Sequence, residues 1–234
     1  MAKANLKNIA EGMQGAVLIG VHLVLGPILR RWRTRWGATD DEIRRTLPGD
    51  ELVPQPKWSY TQSITIHAPA AEVWPWLAQI GQGRGGFYSY EWIENLVGCD
   101  IHNADRIIPE FQNLQVGDGV QLAAMMPGIP VAIVEPERAL VLYSDTRAGG
   151  SPIPTLKSPG DFWATTWAFF LDETGDGATR LIARFKSDYN DTLLNKLMFG
   201  PPILEPISSL MQRKMLLGIQ QRAEIALKVR EACR

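Results

Sequence analysis

The C-terminal stretch from about Ile203 to Ala232 places the strongest constraint on how this chain folds. Its apolar residues recur at the spacing of a helix, and basic residues occupy much of the remaining surface. The pattern predicts one long helix with a broad apolar stripe that another element has to cover. The stripe consists of Ile207, Leu210, Met211, Met215, Leu217, Ile219, Ala223, Ile225 and Leu227.

The middle of the chain predicts an antiparallel sheet as the partner of that helix. Residues 58–67 (WSYTQSITIH) are rich in β-branched and aromatic side chains, and they form the first predicted strand. The residues TGDG at 174–177 are typical of a hairpin turn, so the last two strands are expected to be neighbours. Short strands with turn signals between them are predicted at 119–125, 131–137, 138–145, 162–173 and 178–189.

Two short helices are expected after the first strand. Residues 70–80 (AAEVWPWLAQI) place their apolar side chains on one helical face, and residues 89–98 form a second helix with Ser89 as its N-cap. The element order therefore predicts an α+β fold, in which a curved antiparallel sheet wraps around the long C-terminal helix. A cavity between such a sheet and its helix suits an apolar ligand.

Composition narrows the classes of function. Among the 234 residues, 24 Lys and Arg face 25 Asp and Glu, a net charge of −1 that argues against a nucleic-acid partner. Only two cysteines, Cys99 and Cys233, and three histidines occur. A disulfide framework and a thiolate zinc site are therefore not expected, and neither a metal nor another cofactor is predicted.

The N-terminal 36 residues are expected to form an appendage with an extra apolar helix over residues 13–29 (MQGAVLIGVHLVLGPIL). Basic and aromatic residues beside an apolar segment are typical of a membrane interface. One hypothesis is therefore contact with a membrane surface or a membrane protein through residues 13–36. Packing on the protein itself or on a partner subunit is the alternative, and a signal peptide is disfavoured because no cleavage site follows. The flanking residues are Arg30, Arg31, Trp32, Arg33, Arg35 and Trp36.

Residues 37–57 connect this appendage to the domain predicted over residues 58–234. Thr39 or Asp40 is suited to cap a short helix, and three prolines follow it in an extended connector. If the apolar helix spans a membrane, the arginine cluster places the following domain on the cytoplasmic side.

The first strand–helix junction carries a family resemblance. The segment ITIHAPAAEVWPWLAQIGQG at 64–83, with the element order over about 58–230, resembles the START-like superfamily, also called SRPBCC, which includes the birch-pollen allergen relatives. Residues 83–118 look like a bacterial subgroup that commonly has an apolar N-terminal segment. The resemblance implies the helix-grip fold and binding of lipids, sterols or polyketides. The low cysteine count and the apolar N-terminal segment lead us to expect a location in the bacterial cytoplasm or at the cytoplasmic side of the membrane. Some members act as cyclases, hydroxylase subunits or co-chaperones, so the fold alone does not select a function.

The glycine-rich string GQGRGGFYSYEW at 81–92 is the most unusual motif. It follows a helix and lacks the GK[ST] of a phosphate loop, which disfavours nucleotide binding. We interpret it as a portal loop with Arg84 at its tip and aromatic side chains turned toward a ligand. The alternative is that these aromatics are ordinary core. They are Phe87, Tyr88, Tyr90 and Trp92.

Chemistry on the ligand is a second hypothesis. His102 with Asp105 three residues later is a candidate acid–base pair, Tyr88 a further proton donor, and Arg106 a polar contact. The same polar residues are equally suited to satisfy buried loop amides. The other residues expected to line the cavity are Trp76, Trp163, Trp167, Met211 and Met215.

Three functions remain open from the sequence. The first is binding or carrying of a lipid-like or polyketide-like molecule, near a membrane. The second is a cofactor-independent cyclase or dehydratase that uses His102 or Tyr88. The third is a structural or assembly subunit of a membrane complex.

Overall fold

The computed structural model describes residues 2–124, 126–148 and 161–232, with side chains from residue 10 onward. Its centre is a six-stranded antiparallel sheet with the strand order β1-β6-β5-β4-β3-β2. Consecutive strands are neighbours except that β1 closes against β6. The strands are β1 (Trp58–Ile66), β2 (Gly119–Val120), β3 (Ile129–Glu135), β4 (Ala139–Asp145), β5 (Trp163–Glu173) and β6 (Thr179–Tyr189).

Seven α-helices surround this sheet in the described part of the chain. The long C-terminal helix is 29 residues in length and begins directly after a turn that contains Pro201 and Pro202. The helices are α1 (Ala2–Val24), α2 (Gly26–Thr34), α3 (Asp40–Arg44), α4 (Ala70–Ala78), α5 (Glu91–Leu96), α6 (Leu193–Phe199) and α7 (Leu204–Ala232).

One face of the sheet holds α7. Side chains alternate across β5, so Phe169 and Leu171 share a face and pack in the same core as Met215 and Ile219 of α7. These residues are fully or almost fully buried, and burial of each such side chain stabilises the fold by roughly 1.5–3 kcal/mol. The predicted α+β helix-grip architecture is confirmed.

The opposite face of the sheet is covered by residues 40–53, which the sequence predicted as a connector. Leu47 packs there against Ala168 and Phe170 of β5. Arg184 of β6 is 5% exposed and fixes the segment by donating to Asp50 and to the backbone oxygens of Glu42 and Ile43. The connector is therefore a second layer on the sheet.

Glu42 anchors the start of this layer. Thr39 and Glu42 form a capping box, in which Thr39 Oγ1 accepts from the Glu42 amide and Glu42 Oε2 accepts from the Thr39 amide. Burial alone would raise the pKa of Glu42, but hydrogen bonds from Arg180, Thr39 and Ser63 lower it to about 2. Thr39, one of the two predicted caps, is the residue that caps the helix.

The prediction of a single apolar helix over residues 13–29 is wrong. The chain forms α1 and α2, which are bent by 117° at the break between them. Pro27 lies in the first turn of α2 and has no backbone N–H, so α1 cannot continue through it. Within the described residues no single helix has the length and hydropathy of a membrane span, whereas the bent pair of 10–24 and 26–34 meets both criteria together.

A buried ion pair fixes α2 to the start of α7. Arg33 is 1% exposed, and its guanidinium donates to Glu205 at 2.7 Å and to the Gly26 carbonyl at 2.8 Å. Arg30 donates to the other oxygen of the same carboxylate at 2.8 Å. Because a buried carboxylate is costly without partners, α2 belongs to the folded body rather than to a free appendage.

Other differences from the sequence prediction are local. The strand predicted over 119–125 extends only over Gly119–Val120 in the described residues, and Met125 lies outside them. The predicted N-cap Ser89 is wrong, since α5 begins at Glu91 and Ser89 Oγ donates to the Met211 carbonyl. Helix α6 was not predicted.

Candidate functional site

A groove of about 800 Å³ runs along α7 on a different face of that helix from the one that packs on the sheet. One wall is aromatic and comes from α4 and the glycine-rich segment. The floor is the outer face of α7, where Leu217, Ile225 and Val229 are the apolar contributors. The volume lies in the range of small-molecule sites. The aromatic wall is made of Trp76, Tyr88, Tyr90 and Trp92.

Gly218 lets the aromatic wall lie directly on α7. A Cβ atom at this position would be 2.3 Å from the Tyr88 carbonyl oxygen and 2.7 Å from the Tyr88 Cβ. Both contacts are shorter than any van der Waals separation, so no larger residue fits without moving the Tyr88 backbone. Gly218 in the helix and Tyr88 in the loop therefore determine how closely the aromatic wall approaches α7.

Tyr88 is held in an unusual backbone conformation. Its φ of 56° lies in the left-handed region, which is rare for a residue with a bulky side chain. Asn103 compensates, because its Oδ1 accepts from the amides of both Phe87 and Tyr88, at 3.1 and 2.6 Å. Strain of this kind is held only where the surroundings impose it, and it clusters at functional sites.

The Tyr88 side chain is a structural anchor within the wall. Its hydroxyl donates to the Trp76 carbonyl at 3.1 Å and accepts from Gln79 Nε2 at 2.9 Å. Burial raises the pKa of Tyr88 far above its ordinary value, so the hydroxyl stays protonated. The Arg222 guanidinium stacks on the ring, 4.8 Å from its centroid.

The rim of the groove carries paired charges. Lys214 of α7 donates to Glu11 of α1 at 2.9 Å, which ties the two helices together across one end. Arg222 donates to the Ala104 carbonyl and to Asp105, whose side chain is 95% exposed. An apolar floor with charged groups at the rim suits an amphiphilic molecule, because its polar end reaches the charges and its apolar body lies on α7.

Helix α1 closes the same end of the groove by packing on α5. A Cβ at Gly12 would lie 2.7 Å from the Trp92 ring, and a Cβ at Gly15 would lie 2.8 Å from Tyr90 and Ile93. The two glycines are three positions apart and so share one face of α1. Their small size allows α1 to approach α5 closely, and this places Glu11 at the rim.

Four of the residues predicted from the sequence as ligand contacts, Trp76, Tyr88, Tyr90 and Trp92, therefore lie together in the groove. Phe87 and Trp167 lie elsewhere, with ring centroids 5.8 Å apart. Trp167 shares a strand face with Phe169, stays partly accessible and donates to Gln212 of α7 at 2.9 Å.

The other predicted contacts pack within the protein. The Trp163 ring stacks on the Phe199 ring with centroids 5.2 Å apart, and Trp163 Nε1 donates to Ser187 Oγ. Met215 of α7 is 1% exposed and lies in the core between α7 and the sheet. Met211 contacts Ser89 through its backbone oxygen and sulfur atom.

The two predicted arginines differ in environment. Arg84 was expected at the tip of a portal loop, but its guanidinium donates to the Ala78 and Phe111 carbonyls and stacks on the Phe111 ring at 4.7 Å. Burial lowers its pKa. The Arg106 side chain is exposed, and its carbonyl accepts from Gln79. Arg84 therefore stabilises the loop from within.

His102 lies at the surface, with a side chain that is 76% exposed. Its ring nitrogens are 3.2 Å from Asp100 and 3.8 Å from Glu91, whereas Asp105, the predicted partner, pairs with Arg222. The Tyr88 hydroxyl has different partners, inside the wall. His102 and Asp105 are thus not arranged as the predicted acid–base pair, and Tyr88 lies apart from His102 with partners of its own.

Sequence reasoning missed the α7 side of the groove, namely Lys214, Gly218, Gln221 and Arg222. A signal was present, because the apolar stripe of α7 is wider than one sheet-facing side requires and continues onto Leu217 and Ile225. Helix α1 was also missed as a groove element. Its signal was the pair Gly12 and Gly15 inside an otherwise helical pattern.

A buried carboxyl lies next to this site. Glu94 of α5 is 8% exposed, and its Oε2 has no hydrogen-bond partner among the described residues. Burial raises the pKa of Glu94 to about 7, and the nearby Glu91 charge adds to the shift. Because α5 packs on α1, the protonation of Glu94 is coupled to the stability of this corner of the molecule.

The geometry defines a helix-grip protein with a groove beside its long helix. No family model matches the sequence, and no curated protein matches it. Solved structures do show similarity. A conserved protein from Geobacillus kaustophilus has 16% identity and a TM-score of 0.40, covering 71% of this chain and 95% of its own. A protein from Arthrobacter aurescens has 13% identity and a TM-score of 0.38, covering 70% and 85%.

A Polyketide_cyc-like protein from Corynebacterium glutamicum has 17% identity and a TM-score of 0.34, covering 72% of this chain and 93% of its own. Identities and TM-scores of this size assign neither a family nor a function. The helix-grip description rests instead on the strand order and on the position of α7.

Proposed function

We propose that this protein binds a hydrophobic, lipid-like or polyketide-like small molecule in the groove along α7, as a START-like carrier. The observation that carries the proposal is the groove itself, about 800 Å³ in volume, with an aliphatic floor and an aromatic wall in which Tyr90 and Trp92 are accessible while Trp76 and Tyr88 are almost fully buried. Sites for apolar ligands combine such walls with a few polar groups that orient the molecule. Here Lys214, Gln221 and Arg222 of α7 are among the polar groups, and the acidic residues Glu11, Glu91 and Asp105 also line the groove.

Native mass spectrometry of the full-length protein, followed by solvent extraction, tests this proposal. We expect a bound apolar molecule at close to one per chain. The double variant Ile225→Asp/Val229→Asp places two charges on the groove floor, where both side chains are more than half exposed, so the fold is expected to survive. This variant should lose the molecule. A wild-type protein that carries nothing and binds no fluorescent fatty acid would refute the proposal.

Val116→Asp is the matched control. Val116 is 64% exposed and lies outside the groove, so the substitution also places one carboxylate on an exposed valine. It should leave the bound molecule in place. Loss of ligand in both variants would point to a general effect of added negative charge.

We also propose that the protein works at a membrane surface through α1 and α2. The outer stripe of α1, at Met13, Val17, Val21 and Val24, is at least 40% exposed at every position. Exposed apolar patches of this kind mark interaction sites. Deletion of residues 1–36 is a poor test, because it would leave Glu205 buried without its arginines. Val17→Ser/Val24→Ser removes the apolar contact and keeps the ion pair.

Vesicle co-sedimentation with the full chain measures this part of the proposal. We expect the wild-type protein to pellet with phospholipid vesicles and Val17→Ser/Val24→Ser to remain largely in the supernatant. Equal pelleting of both proteins would contradict a membrane contact through α1.

The cyclase or dehydratase alternative has less support. Its two predicted groups are a phenol whose pKa is strongly raised and an exposed imidazole with separate partners. No described contact brings either group to a reacting position. The carrier function needs neither.

A further inference from the structure

Helix α6 packs on β6 and α7, but one of its faces is apolar and exposed. Four of its five large apolar residues occupy positions i, i+1, i+4 and i+5, so they share one helical face, while the fifth, Phe199, is buried. Leu193 is 85% exposed, and the other three are 40–50% exposed. A soluble monomer gains nothing from such a face, which marks a contact surface. The four residues are Leu193, Leu194, Leu197 and Met198.

This face lies at the same end of α7 as α2, one of the two helices proposed above to contact a membrane. Helix α6 ends at Phe199, where the carbonyl accepts from Trp58 Nε1 at 2.8 Å. Helix α7 begins at Leu204, and its second residue, Glu205, accepts from Arg30 and Arg33 of α2. Only residues 200–203 separate α6 from α7. The buried ion pair therefore holds α2 beside the α6–α7 junction.

The charges around these two apolar elements are predominantly basic, although Asp191, just before α6, lies 3.6 Å from Lys196, and Asp40 pairs with Arg35. No Asp or Glu occurs between Gly12 and Thr39 or between Leu193 and Leu204, although the whole chain has a net charge of −1. The same two segments contain four arginines and one lysine. Apolar side chains flanked by cations are the combination that inserts into and adheres to an anionic lipid surface. The basic residues are Arg30, Arg31, Arg33, Arg35 and Lys196.

We propose that α6 and the bend between α1 and α2 form one surface that binds bilayers containing anionic phospholipids. The apolar contacts are Val24 and Ile28, each 79% exposed at the bend, together with the exposed face of α6. Arg31 and Lys196 face solvent, with the Lys196 ammonium 3.6 Å from the Asp191 carboxylate, while Arg33 stays with Glu205. Self-association through this surface is disfavoured, because two copies would bring like charges together.

The inference rests on the membrane contact proposed for α1 and α2, and it adds a second element and a lipid class. The experiment compares full-length proteins by co-sedimentation with vesicles of phosphatidylcholine alone or of phosphatidylcholine mixed with phosphatidylglycerol. The variants are Leu193→Ser/Leu197→Ser on α6, Val24→Ser/Ile28→Ser at the bend and Lys196→Gln. Val116→Ser, at an exposed residue of the turn before β2, is the control, and circular dichroism verifies the fold of each protein.

We expect the wild-type protein to prefer the anionic vesicles and to be released by salt, since screening weakens the cationic contact. The α6 and bend variants should each lose roughly tenfold or more in affinity, because each removes two inserted apolar side chains. Lys196→Gln should lose about fivefold on anionic vesicles and remain unchanged on phosphatidylcholine, the effect of one basic residue near a charged surface. Val116→Ser should match the wild type.

Two outcomes overturn the inference. If the bend variant loses binding while the α6 variant matches the wild type, α6 is not part of the surface and only the α1–α2 contact stands. If the wild type ignores vesicles but forms dimers that Leu193→Ser/Leu197→Ser dissociates in sedimentation velocity, the face is an interface between copies of this chain. That second outcome would also refute the membrane part of the proposed function.

Discussion

The guanidinium of Arg33 and the carboxylate of Glu205 lie 2.7 Å apart with side chains that are 2% and 0% exposed, although 172 positions separate them in sequence. This pair connects the N-terminal helices to the last helix of the fold. Arg30 completes the site on the carboxylate. The apolar N-terminal segment therefore contributes to the stability of the whole domain.

We predict that Arg33→Met lowers the free energy of unfolding by about 3–5 kcal/mol, because it leaves part of the Glu205 charge buried without compensation. Urea unfolding measures the change. Arg44→Met is the control, since its exposed pair with Asp41 contributes at most about 1 kcal/mol. A loss below that value for Arg33→Met would mean that Arg30 alone satisfies Glu205.

Gly218→Ala should destabilise the protein by about 1–3 kcal/mol and weaken ligand binding, because the new methyl group meets the Tyr88 carbonyl. Gly20→Ala on α1 is the matched control. A Cβ there has no neighbour within 4 Å, so the substitution should be neutral or stabilise by up to about 1 kcal/mol. Thermal unfolding of both variants tests the pair, and similar behaviour of the two would contradict the packing of Tyr88 on α7.

Glu42 predicts a loss of stability in acid. Its folded pKa of about 2 lies below its ordinary value of 4.5, so its contribution is complete above pH 4.5 and is lost as the pH falls toward 2. Glu42→Gln should therefore be less stable than the wild type at pH 6, and the difference should shrink between pH 4.5 and 2. Chemical unfolding across that range measures it. A difference that does not vary with pH would rule out a depressed Glu42 pKa.

Glu94 predicts the opposite dependence. Its folded pKa of about 7 lies above the ordinary 4.5, so the folded state keeps a proton that the unfolded state releases. Stability should fall as the pH rises from 4.5 to 7, and the full penalty should be present above 7. Glu94→Gln should remove this slope and be the more stable protein at pH 8. The control Glu110→Gln, at an exposed carboxyl, should keep the wild-type slope.

The fold was predictable from sequence to the extent that it depends on local periodicity. Alternation identified β5 and β6 almost to the residue, and the helical stripe identified α7. Helix α6 was not predicted because its apolar face is exposed and packs on no core. Its sequence therefore lacks the alternation of buried apolar and exposed polar residues that identifies a surface helix. The layer at 40–53 was missed because its position depends on Arg184, which contacts it from more than 130 residues away.

Of the two sides of the candidate site, the aromatic wall could be predicted from the sequence and the floor on α7 could not. The aromatic wall is contiguous in sequence, and its composition indicated a ligand surface. The groove floor was not predicted because one face of α7 packs in the core and another lines the groove. In the sequence both faces belong to one broad apolar stripe, so the core residues and the groove residues cannot be told apart. The break of the N-terminal helix at Pro27 was readable in principle, because proline cannot donate the hydrogen bond that continuation requires.

The pairing of β1 with β6 has a consequence for synthesis of the chain. Trp58 pairs with Ser187 and Ile66 with Thr179, so the first strand leaves the ribosome long before its partner exists. The arginines of α2 are separated from their partner Glu205 by an even longer stretch of sequence, so they are made still earlier relative to it. Long-range pairing of this kind slows folding and prolongs exposure of apolar surface. The nascent chain therefore presents its apolar segment around α1 and α2 to the cell before the long helix that anchors α2 has been made.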